Sequence, residues 1–168
     1  MGYQLIETIE VGSGGAASIE FTGIDQTGQD LQILLSGQVL SGGLNIDMRL
    51  NNNSSSVYNF KRLAGNGTSA SSASNTSQNR FILQATGSPS GFGTFSNASI
   101  YISNYASTSN KSISIDAVNE RNNLGTLMEL YAAGFSNTSP ITSIQLIGDG
   151  GNNMAQFTTA SLYKVTAD

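Results

Sequence analysis

A chain of 168 residues is the size of one domain and can bury a two-layer core without help from metals or disulfides. It contains neither histidine nor cysteine, which excludes a Ser-His-Asp triad, His-ligated or thiolate zinc, a Cys nucleophile and a disulfide framework. The net charge of -4, with seven scattered Lys and Arg, argues against a nucleic-acid groove, and the 11% charged residues fall far below the usual share of about 25%.

Gly, Ser, Asn and Thr fill 75 positions, so the chain is expected to form many strands joined by many turns. A period of two starts at residues 3–11 and returns at 17–24, where Ala17, Ile19 and Phe21 alternate with Ser18, Glu20 and Thr22. The Gly12-Ser13-Gly14-Gly15 run between them reads as a hairpin connection, since it lacks the GxxxxGK[ST] phosphate-loop pattern and a strand follows it. Residues 31–40 place Leu31, Ile33, Leu35 and Val39 on one face and Leu34 and Leu40 on the other, as expected of a central strand with little exposed surface. After the turn at 41–43, residues 46–51 point Ile46, Met48 and Leu50 inward and Asp47 and Arg49 outward. Residues 57–63 align Tyr58, Phe60 and Arg62 on one side, and the polar stretch 64–79 that follows reads as a mobile surface loop.

Strands are further expected at 80–85, 98–105, 112–118, 124–133, 143–147 and 154–165, divided by Gly-, Asn- and Ser-rich turns and by Pro89 and Pro140. Leu127, Leu130 and Tyr131 follow a helical spacing within 124–133, but Gly125, Thr126 and Gly134 crowd its ends and favour a strand. Residues 1–10 carry Glu7 and Glu10 and neither a basic nor an apolar region of a Sec-type signal. No apolar run approaches the roughly 20 residues of a membrane-spanning helix, so the chain reads as soluble with no membrane partner. About ten antiparallel strands cannot lie as one flat sheet with an apolar face in water. The expected fold is therefore all-β, a jelly-roll-like antiparallel β-sandwich forming a single domain over residues 1–168.

The chemistry-bearing residues are sparse. Glu10 with Glu20, and Asp116 with Glu120, are the carboxylate pairs near enough in sequence for glycoside hydrolysis, and Asp116 and Glu120, at the end of a strand beside Arg121, read better as solvated edge charges. The run at 148–153, with Asp149, Asn152 and Asn153, offers too few acids for a calcium loop and reads as a Gly/Asn hairpin turn. Glycosylation sequons begin at Asn66, Asn75, Asn97, Asn110 and Asn137, and they follow from the Asn/Ser/Thr-rich composition. Tyr101, Tyr105, Tyr131 and Tyr163 have the chemistry to stack on sugar rings, although sheet-face packing is the commoner use of such residues. No catalytic, cofactor-binding or metal-ligating residue is assigned, and the chain is expected not to be an enzyme.

The segments 18–24, 58–63 with 65–67, 100–105 with 110–112, 134–138, 141–144 and 157–163 together span nearly the whole chain. In these segments the chain resembles a β-sandwich module of tailed-phage virion structural proteins of the kind seen in marine and cyanobacterial phages. The resemblance implies a virion location, assembly in the host cytoplasm, and binding in place of catalysis. Strand sequence starts directly after Met1 with no shaft before it, which favours a capsid decoration or cement protein. Such a protein would be a homotrimer bound to the major capsid protein or other virion proteins, its symmetry axis burying sheet edges. The alternative is a tail fibre or spike tip that recognises a host surface glycan through its loops. Residues 64–79 and 88–95 are the expected contact loops.

Overall fold

The computed structural model describes residues 2–40, 45–83, 88–89, 93–120 and 126–166. Within them lie twelve strands, β1 (Gly2–Glu10), β2 (Ser18–Phe21), β3 (Asp30–Val39), β4 (Ile46–Leu50), β5 (Tyr58–Gly65), β6 (Ala70–Gln78), β7 (Ser88–Pro89), β8 (Ser96–Ile102), β9 (Lys111–Asn119), β10 (Leu127–Phe135), β11 (Ile144–Gly148) and β12 (Thr159–Thr166). They form an all-β sandwich with layers of unequal width. The wide layer is antiparallel in the order β1-β12-β3-β8-β9-β10-β5-β6, with β7 paired in parallel to the end of β3. The narrow layer is β2-β11-β4. From β1 to β5 each connection passes from one layer to the other, as do those on either side of β11, the wrapping expected of a jelly-roll-like chain.

Alternation drives this arrangement. In β9, Ile113, Ile115 and Ala117 are buried while the residues between them are exposed, so one face is committed to the core. Leu31, Ile33 and Leu35 of β3 and Ile100 and Ile102 of β8 share that face. Ile19 and Phe21 of β2, Met48 and Leu50 of β4, and Ile144 and Leu146 of β11 meet them from the narrow layer in one continuous cluster. Fully burying such side chains contributes about 1.5–3 kcal/mol each, which suffices without any cross-link.

Several local expectations are corrected. The stretch expected as a mobile loop contains β6, because an edge strand needs only backbone pairing to β5 and tolerates a wholly polar sequence. In the segment expected as a strand at 80–85, the described residues 80–83 make a single bridge, between Phe81 and Met48. Asp47 keeps the outward side of β4 with Arg49 as expected, yet it is buried, because Arg80, just before that bridge, folds over it. Leu34 and Leu40 of the central strand are 47% and 46% exposed, contrary to the expectation of little open surface. The expected turn at 41–43 lies outside the described residues, as do positions 84–87, 90–92 and 121–125.

Candidate functional site

The narrow layer covers one side of the wide sheet, and among the described residues no strand covers the other. Strand register lays its side chains out in rows. One row runs Thr8, Ser161, Leu34, Ser99, Asp116, Leu130, Leu63 and Ser72 from β1 to β6. Flanking it on one side are Leu5, Tyr163, Gln32, Tyr101, Ser114, Ala132, Lys61 and Ser74. On the other side are Glu10, Thr159, Ser36, Asn97, Val118, Met128, Gly65 and Ala70. In these three rows the charged members are Glu10, Lys61 and Asp116.

Two parts of this face are concave. On β5, β9 and β10, Leu63, Val118, Met128 and Leu130 surround a cavity of about 360 Å³ with Asp116 at its border. These four side chains are 55%, 43%, 62% and 56% exposed, an apolar group that a monomer rarely leaves in water. On β1, β12, β3 and β8, a depression of about 310 Å³ is lined by Tyr3, Gln32, Leu34, Ser99 and Tyr163. There the Gln32 amide Nε2 donates to Ser99 Oγ at 2.8 Å, which fixes its orientation between the strands. Beside it the Tyr101 hydroxyl donates to Asp30 Oδ2 at 2.5 Å. That bond, with burial and the Asp30 charge behind it, pushes the Tyr101 phenol up to about 12.

The four tyrosines singled out in the sequence do not form one surface. Tyr105 and Tyr131 are buried in the core, Tyr131 donating to Glu129 Oε2 at 2.6 Å, whereas Tyr101 and Tyr163 lie on the open face. Glu10 and Glu20 stand in different layers, and Glu20 accepts hydrogen bonds from Ser18 and Gln145. Asp116 lies on the open face of β9, and Glu120 follows the end of that strand. The run at 148–153 folds as a tight 3-10 turn in which Asn152 Nδ2 donates back to the Asp149 carbonyl oxygen. Among the described residues no group of three His, Cys, Asp or Glu is placed to hold a metal ion.

The ion pairs were not legible in the sequence. Arg62 reaches Glu129, which is buried, at 3.0 Å. Arg80 sits between Asp47 at 2.6 Å and Asp149 at 3.7 Å, beside Arg49, at one end of the narrow layer. Burial pushes the Asp47 carboxyl up to about 6 even though Arg80 opposes the shift. The exposed leucines did leave a trace in the sequence, since apolar residues occupy both parities of residues 127–131 and 31–35.

No protein-family model matches the chain, and no curated protein sequence matches it. Among solved structures, a fructofuranosidase from Schwanniomyces occidentalis complexed with fructosylnystose aligns at 8% identity and a TM-score of 0.26. That alignment covers 99% of this chain, which spans 33% of the length of the fructofuranosidase chain. The CBM2 module of the evolved Dit of Lactobacillus casei BL23 phage J-1 aligns at 8% identity and a TM-score of 0.21, over 90% of this chain and 69% of the module chain.

Proposed function

We propose that this protein acts by binding alone, as a virion decoration or cement subunit. In this reading the apolar half of its open face seats on a protein neighbour, the major capsid protein. The observation that carries it is the exposed group Leu63, Val118, Met128 and Leu130, gathered on three adjacent strands in a chain with very few charges. Closing a protein neighbour over four such side chains removes apolar area from water at roughly 25 cal/mol per Å², and Asp116 at the border gives the contact a polar rim. The resemblance to phage virion modules supports the particle as the setting.

The test adds purified protein to phage heads stripped of it and counts bound copies by quantitative mass spectrometry and particle imaging. Wild-type protein is expected to rebind in hundreds of copies per head, and M128D/L130D to bind at least tenfold more weakly with its unfolding transition unchanged. A protein found only at the tail, at a few copies per particle, would overturn the head assignment.

A further inference from the structure

We infer that the depression around Tyr163, on the other half of the open face, binds a neutral sugar. Tyr163 of β12 is the centre of the site. Its direct cross-strand partners are Leu5 of β1 and Gln32 of β3. Tyr3 and Leu34 stand diagonal to it, within reach of an aromatic side chain. The wall thus supplies two tyrosine rings and a leucine, all partly or largely exposed, and the polar groups are one amide, one serine hydroxyl and the tyrosine hydroxyls.

That set matches a ligand with one apolar face and a hydroxylated rim. The C–H face of a pyranose packs on a tyrosine ring, and its hydroxyls bond to an amide that can both donate and accept. Gln32 is suited to this role because its nitrogen already donates to Ser99, so the side chain is oriented before a ligand arrives. The charge of the site selects the class of sugar. None of the five lining residues is Asp, Glu, Lys, Arg or His, and Asp30, the acid next in line, is buried and takes hydrogen bonds from Tyr101 and Asn104. A phosphorylated or carboxylated ligand would find no counter-charge there, whereas a neutral hexose or N-acetylhexosamine would need none.

The site is independent of the docking reading and compatible with it. Neighbouring strands turn by about 20–25°, so the four strand steps from β12 to β10 turn the face through roughly 80–100°. The tyrosine half therefore looks in a different direction from the leucine half, and a subunit seated by one keeps the other open.

The experiment is a titration of the isotope-labelled 17.5 kDa protein with neutral gluco-, galacto-, manno- and N-acetylglucosamine oligomers, followed by NMR. Saturable shifts at Tyr3, Gln32, Leu34, Ser99 and Tyr163 are expected with at least one oligomer. The affinity should fall about tenfold or more in Tyr163→Ala and several-fold in Gln32→Ala, and should be unchanged in M128D/L130D. The inference is overturned if no oligomer shifts these resonances, if a uronate- or sialate-bearing glycan binds there more tightly than any neutral one, or if a proline-rich peptide binds there and the sugars do not. Head rebinding by a Tyr163→Ala protein that has lost sugar binding would separate failure of this site from failure of the docking face.

Discussion

At the scale of single residues, two aspartates set opposite pH dependences. Asp47 is buried and its carboxyl is held up at about 6, first by desolvation, against the pull of Arg80. The folded chain therefore keeps a proton on Asp47 that the unfolded chain releases near pH 4. Stability falls as the pH rises from about 4 through 6, by something on the order of 3 kcal/mol. Asp25 works the other way: hydrogen bonds from Thr27 and then Lys164 hold it down at about 2. Its contribution is present above about pH 4 and is lost as the pH falls towards 2. Asp25 is half exposed, so solvent screens much of that contribution. Asn at position 47 keeps the shape and removes the titration, while Arg80, 31% exposed, keeps access to water and to Asp149. Asp47→Asn should therefore gain stability relative to wild type steadily between pH 4 and 6 in urea unfolding. Parallel curves for the two proteins across that range would refute the assignment.

At the scale of elements, what was legible depended on whether a strand's neighbours matter. The half-buried strands β2 and β9 announce themselves, because each alternate residue meets either core or water and the side-chain period does all the sorting. β6 does not, since its nine residues hold no large apolar side chain and only the free edge of β5 makes them a strand. The second apolar face was visible, but its being open was not. Leu34 and Leu130 look like the second buried side of central strands, and whether that side is covered depends on how strands divide between layers, which no local pattern records. The β4–β5 corner was missed for a related reason, since one of its fastenings is a buried hydroxyl reaching back along the chain. Tyr58, fully buried at the start of β5, accepts the Leu50 N–H at 3.1 Å and donates to the Asn53 carbonyl at 2.7 Å. Tyr58→Phe keeps the ring contacts with Phe81 and Phe135 but strands those groups, and should cost about 1–3 kcal/mol in chemical denaturation. A variant as stable as wild type would mean that water replaces the hydroxyl at the corner.

At the scale of the whole molecule, the division into eight strands over three leaves two long edges, and they differ. β1 carries Glu7 and Glu10 and a register shift between Leu5 and Glu7, devices that discourage uncontrolled pairing. β6, nine residues at the opposite edge, has no charge, no proline and mostly small polar side chains. A closed ring of copies, such as the trimer proposed for a cement subunit, requires a heterologous contact in which one surface of a copy meets a different surface of the next. β6 laid against β1 of the following copy meets that requirement and removes both edges at once. Glutamates at Ser72 and Ser74 lie on the same face as Glu10 and would meet Glu10 of the next copy across such a junction. Both serines are exposed, so the fold should tolerate the change within about 0.5 kcal/mol. Sedimentation velocity is expected to show a trimer for wild type and a monomer for S72E/S74E. A variant that still sediments as a trimer would move the junction away from β6, and a wild-type protein that is monomeric at every concentration would remove the ring altogether.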